Sequence, residues 1–181
     1  MRNGRKANVA SGVIAGVAGG LFASWIMNLF IEDVGPKLQQ AVQDDEERQP
    51  ASEYERSQSD EDGGPREDAT MKAAGRLARA LAGRELTYEQ KKTGGPIVHY
   101  AFGAVMGGIY GGLAEHSPQV TNGFGTAFGG ALFAGADVIA VPALNLAEAS
   151  SDLPSLATPF AAHLVYGATT ELVRRVMRTA L

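Results

Sequence analysis

The apolar residues of this chain are gathered into four long runs, at Val9–Ile31, Pro96–Ala114, Phe124–Ala147 and Leu156–Met177. Each is close to the roughly 17–25 residues that an α-helix needs to cross a ~30 Å hydrocarbon layer. Within that layer backbone groups have no water to bond, so a spanning segment must satisfy its own N–H and C=O groups. The sequence therefore predicts an all-α fold, a four-helix transmembrane bundle with the lipid bilayer as its partner.

The mean hydropathy of -0.08 resembles that of a water-soluble protein. That average is set by the polar stretch between the first two runs. Of the 36 charged side chains, 24 lie between Asp33 and Gly94. Inside the runs the only acids are Asp137 and Glu171. A net charge of -4 argues against a nucleic-acid partner, which calls for a basic face. The absence of cysteine excludes disulfides, thiolate metal sites and cysteine nucleophiles. The first run follows Arg2, Arg5 and Lys6, as a signal peptide would. It is too long for a signal h-region and ends in Trp25-Ile26-Met27-Asn28-Leu29-Phe30 without a small-residue cleavage site, so it reads as a retained anchor.

Lys and Arg near the spans set orientation. Arg2, Arg5 and Lys6 precede the first run, and Arg174, Arg175 and Arg178 close the last. An even number of spans puts both basic ends on one side, which predicts cytoplasmic termini and an extracytoplasmic polar segment, 33–94. Lys91 and Lys92, just before the second run, oppose that assignment. The Glu148–Asp152 turn is expected outside and the Glu115–Asn122 turn inside.

Within the polar segment, residues 44–68 are acidic and nearly free of large apolar side chains, so no stable fold is expected there. From about 69 to 82, Met71, Ala74, Leu77, Ala78 and Leu81 fall at helical spacing, with Lys72, Arg76 and Arg79 elsewhere around the helix. Asp68 or Thr70 is expected to cap it and Gly83 to end it. Such a helix either lies in the membrane interface or packs, solvated, on the polar segment.

The chain also suggests two repeated helix hairpins, with the polar segment inserted in the first. Gly19-Gly20-Leu21-Phe22-Ala23 resembles Gly129-Gly130-Ala131-Leu132-Phe133-Ala134, and His99-Tyr100-Ala101-Phe102-Gly103 resembles His163-Leu164-Val165-Tyr166-Gly167. Gly12, Gly16 and Gly20 form one stripe, Gly103, Gly107 and Gly111 a second, and Gly125 and Gly129 begin a third. Small residues let membrane helices approach closely. These stripes predict tight packing, either within the chain or between copies.

An ionisable residue at membrane depth is costly and marks a candidate site. Asp137 and His163 fall at similar depth on consecutive antiparallel runs, with His99 nearer the surface. They form either a polar clamp between helices or a site that holds a proton or cation. Pro142 removes a backbone hydrogen bond nearby and predicts a disturbed helix. Glu171 precedes Arg174 and Arg175 by one turn, which predicts i,i+3 and i,i+4 pairs at the membrane surface. His99, His116 and His163 lack metallohydrolase spacing, and no serine elbow or phosphate loop is present. No metal, cofactor or catalytic residue is expected.

Several stretches resemble the YagU-like family of small bacterial inner-membrane proteins. They are Val98–Gly103, Gly108–Glu115, Ala140–Leu144, Ala162–Gly167 and Glu171–Arg175. The likeness covers the second to fourth runs. It implies the bacterial cytoplasmic membrane and a four-span fold, and it brings no activity or catalytic residue. The expected function is a structural or accessory membrane protein that associates with itself or another membrane protein through its glycine faces. The alternative is a small proton or ion channel or transporter built on Asp137 and His163.

Overall fold

The Asn8 side chain accepts the Ser11 backbone N–H, and from that cap α1 runs unbroken over Val9–Asp33. The computed structural model describes residues 8–45, 67–147 and 153–181. Arg2, Arg5 and Lys6, most of the 44–68 stretch and the Glu148–Asp152 turn lie outside the described residues. At ~1.5 Å per residue the 25 residues of α1 measure about 37 Å, enough to cross hydrocarbon.

The polar segment is not a loop from its first residue. After Val34 the chain forms α2 (Gly35–Asp45), whose start is tied to the last helix by a 3.3 Å bond from Thr158 Oγ1 to the Gly35 carbonyl. α3 (Ala69–Ala82) is held by Asp68, which accepts the Met71 N–H at 2.8 Å. Gly83 ends it in the left-handed region at φ 62, where a Cβ would be strained. Met71 and Ala74 are buried, packed on Gly95 and Gly94 of the next helix.

That helix, α4 (Tyr88–His116), begins eight residues before the apolar run does. Thr87 and Gln90 form a reciprocal capping box, which fixes the start regardless of hydropathy. Pro96 consequently lies inside the helix rather than at its head.

The third run departs most from a regular helix. A 3-10 segment, Pro118–Gly125, contains non-helical Asn122, Gly123 and Phe124. α5 (Thr126–Phe133) starts only after Gly125, at φ 87. It widens into a π-helix over Ala134–Ala140 and ends with one α turn, Val141–Ala143. Pro142 cannot donate a backbone bond, and the widened turn lies directly before it. The helix stops at Ala143 rather than at Ala147. α6 (Leu153–Ala180) closes the chain.

Among the described residues the fold is all-helical, without a strand. Three stretches of the described residues are long and apolar enough to cross a membrane: Val9–Asp33, Tyr88–His116 and Gln119–Ala143. α6 has 28 residues but is interrupted by His163, Tyr166, Thr170 and Glu171, all of them buried inside the protein.

α1 lies between α4 and α6, and α5 packs on α6. The Phe128 ring of α5 reaches Tyr110 of α4 at 4.7 Å between centroids. The glycine stripes meet inside the chain. A Cβ on Gly12 would overlap the Gly111 carbonyl, one on Gly16 that of Gly107, and one on Gly20 that of Gly103. Gly125 and Gly129 make the same approach to Gly167 and to the His163 backbone. The contact between α1 and α4 is thus backbone on backbone along three successive turns.

Burial is inverted relative to a water-soluble bundle. The fully buried side chains include Ser24, Tyr110, Thr170 and Glu171. Ile14, Trp25, Val105, Ile109, Ile139, Leu172 and Val176 stand exposed on the outer faces. Exposed apolar surface on this scale marks a partner or a membrane.

Candidate functional site

The glycine pairs of α1 and α4 follow one antiparallel register, 12 with 111, 16 with 107 and 20 with 103. Continued by four residues at either end, the register reaches polar pairs: Asn8 with Glu115, and Ser24 with His99. The glycines draw the helices together, and the residues that continue each stripe are thereby carried into the interface. Two polar layers result, one near the middle of α1, α4 and α6 and one at the Asn8–Glu115 end of the bundle.

The first layer holds Asp137, His163, His99 and Ser24. Asp137 comes from the π-helical stretch and His163 from α6, and their Oδ2 and Nδ1 atoms are 3.5 Å apart. His163 Nδ1 also lies 2.9 Å from the Pro159 carbonyl. A carbonyl can only accept, so Nδ1 carries the proton and directs it between Pro159 and Asp137. In the neutral ring, Nε2 is then the lone-pair nitrogen. Phe133 lies against the His163 ring, at 5.7 Å between centroids. His99 is near enough to both Asp137 and His163 for their charges to interact. The structure therefore brings three of the four sequence candidates, Asp137, His163 and His99, into one layer, with Glu171 apart from them. His99 Nε2 and Ser24 Oγ are both buried without a hydrogen-bond partner.

The second layer is built on Glu171, which sits in the interior rather than at a solvated surface. Its Oε2 accepts from the Tyr110 hydroxyl at 2.8 Å and from Arg174 Nε at 2.7 Å. Its Oε1 accepts from Arg174 at 3.0 Å and from Arg175 Nε at 2.5 Å. The expected i,i+3 and i,i+4 pairs are present, with Glu171 itself wholly inaccessible. Tyr110 makes the difference: it reaches from α4 across to α6 and covers the carboxylate. Arg175 stacks over the ring of Phe124, a left-handed residue at φ 57, with 4.6 Å between guanidinium carbon and ring centroid.

Glu115 completes this layer and was expected in a turn. It lies on the last turn of α4, accepts two bonds from Arg178 at 2.8 and 2.9 Å, and accepts the Asn8 backbone N–H at 3.1 Å. Arg174 Nη1 is 3.6 Å away. One carboxylate thus joins the start of α1, the end of α4 and the end of α6. Its place four residues after Gly111 is the sequence signal that identifies it.

Between the layers the interior carries hydroxyls. Tyr166 donates to the Gly103 carbonyl at 2.6 Å, and Thr170 donates to the Tyr166 carbonyl at 2.8 Å. No group of three or more His, Asp or Glu side chains suited to a metal ion occurs among the described residues. Comparison with protein families, with characterised proteins and with solved structures finds no match.

Proposed function

We propose that this chain is an integral protein of the bacterial cytoplasmic membrane, crossing it four times with both termini inside. In this reading its role is structural or accessory, and its interior polar groups lock the helices. Direct side-chain pairing carries the reading. Glu171 and Glu115 are buried and each is paired with arginine inside the protein, and the partly exposed Asp137 lies 3.5 Å from His163. Paired and hydrogen-bonded charges are the form in which membrane interiors tolerate them. α6 counts as the fourth span because its polar side chains face the protein while Phe160, Leu172 and Val176 face outward. The YagU-like resemblance of the second to fourth runs belongs to the same proposal. Association with other copies or other membrane proteins uses the outer apolar faces, because the glycine faces are covered within the chain.

A second reading, proton handling at Asp137 and His163, is favoured by one observation. Ser24 Oγ and His99 Nε2 are buried polar atoms without partners, and such atoms ordinarily bond ordered water. Proton flux into liposomes carrying the native chain or Asp137→Asn separates the two. The clamp requires equal flux and a lower unfolding midpoint for Asp137→Asn. A flux that falls with the carboxylate overturns the clamp in favour of the proton site.

A further inference from the structure

The third run is held to the bundle unevenly. Its first half, α5, buries Gly129, Leu132 and Phe133. Its second half, the π-helix Ala134–Ala140 and the turn Val141–Ala143, buries none of its residues. Ile139 is 65% exposed and Val138 49%. Beyond this stretch the chain returns to the bundle. Leu146 is buried, and the Asn145 carbonyl accepts from Arg76 of α3 at 3.3 Å. We propose that residues 134–143 form a hinged half-span with two polar latches, Asp137 on His163 inside and Arg76 on Asn145 outside, so that α3 controls access to the polar layer.

The backbone of the stretch suits a hinge. Val141 reaches back five residues to the Ala136 carbonyl, and Pro142 after it brings no N–H at all. Widened turns of this kind are rare and occur mostly at functional sites. A hinge needs a few residues that absorb a change of backbone angle, often small ones, and Ala134-Gly135-Ala136 supplies them. A Cβ on Gly135 would meet nothing within 4 Å, so no neighbouring side chain restrains that position.

Local opening has a free energy set by the contacts it breaks. Ala136 touches the core, and the other inward contact is polar. Asp137, with its side chain 34% exposed, lies 3.5 Å from the His163 ring. The Arg76 bond is exposed, and it joins the far end of the third run to an arm that stands on the start of α4. A shift of α3 therefore pulls on the third run directly. Opening draws Asp137 off His163, which is only 7% exposed when latched. The inference rests on the clamp reading for the pairing of Asp137 with His163, and adds that the clamped element moves.

The test is hydrogen–deuterium exchange of the full chain in detergent, read by mass spectrometry, comparing Ala134–Ala140 with Thr126–Phe133. In the native chain the π-helical amides should exchange about tenfold faster. Asp137→Asn should speed them about tenfold again and leave Thr126–Phe133 unchanged. Arg76→Gln should speed the same amides, and Arg76 is exposed, so its replacement does not threaten the fold. Equal exchange of the two halves in the native chain overturns the hinge without recourse to any variant. Faster exchange of both halves in Asp137→Asn also overturns it but leaves the clamp standing, because the whole bundle has then loosened. Unchanged exchange in Asp137→Asn overturns latch and clamp together. No effect of Arg76→Gln overturns the control by α3.

Discussion

Glu171→Ala is expected to lower the stability of the folded chain more than any other single truncation in the bundle. The carboxylate is wholly buried and holds Tyr110, Arg174 and Arg175 together. Removing it leaves the Arg174 guanidinium, itself only 11% exposed, with Glu115 as its remaining acid at 3.6 Å. Breaking one partner out of a buried ion pair costs about 3–5 kcal/mol, because the other charge stays behind without water. Thermal unfolding in detergent, followed through the single tryptophan, Trp25, reads the effect. Glu171→Gln should cost less, since an amide oxygen still accepts from Tyr110. Arg174→Ala added to Glu171→Ala should restore part of the loss by removing the stranded cation. A midpoint for Glu171→Ala equal to that of the native chain would mean that the carboxylate is not the junction described.

Gly107→Leu should be the second severe change. A Cβ at Gly107 would already overlap the Gly16 carbonyl oxygen, with the Gly20 Cα at 2.7 Å. Both neighbours are backbone, so no side chain can turn aside and the helices must separate. Forcing extra atoms into a packed interior costs about 1–3 kcal/mol and sometimes more. Here the separation also draws Ser24 from His99 and Asn8 from Glu115, because the glycine register sets both. Gly135→Ala is the matched control. A Cβ there meets nothing within 4 Å, and alanine is the better helix former by about 1 kcal/mol, so no loss is expected. Equal melting of the Gly107 and Gly135 variants would remove the glycine contact as the basis of the fold.

Hydropathy located the helices well where composition alone decides, as in α1, whose bounds nearly match the apolar run. It failed at boundaries that are fixed by specific hydrogen bonds. α4 starts at Thr87 and Gln90, polar residues whose capping bonds hydropathy does not register. The 3-10 start and the π-helical centre of the third run depend on Gly123, Gly125 and Pro142 acting together, and no periodicity shows that. α2 is short and polar, and its place depends on Thr158 more than a hundred residues away. The glycine stripes were visible, and which helix each would meet was not, because a stripe states closeness without a partner. The Asp137–His163 approach follows from depth and antiparallel order. By hydropathy Glu115 reads as a turn residue, although counting by four from Gly103 through Gly107 and Gly111 reaches it. Tyr110 gave no signal at all. Its role depends on the rotation of α4 relative to α6, which emerges only once both are packed.

The claim beneath all of this is that the chain passes from one side of a bilayer to the other along α4. That helix of 29 residues measures about 43 Å at ~1.5 Å per residue, against a hydrocarbon layer of ~30 Å. The sequence has no cysteine, so single cysteines report position without background. Leu81→Cys lies beside the start of α4 and Gln119→Cys just past its end, and both positions are exposed. Labelling of intact, outer-membrane-permeabilised cells with an impermeant maleimide should modify Leu81→Cys and spare Gln119→Cys until the inner membrane is opened. Modification of both in sealed cells, or recovery of either protein from the aqueous fraction without detergent, would contradict the account.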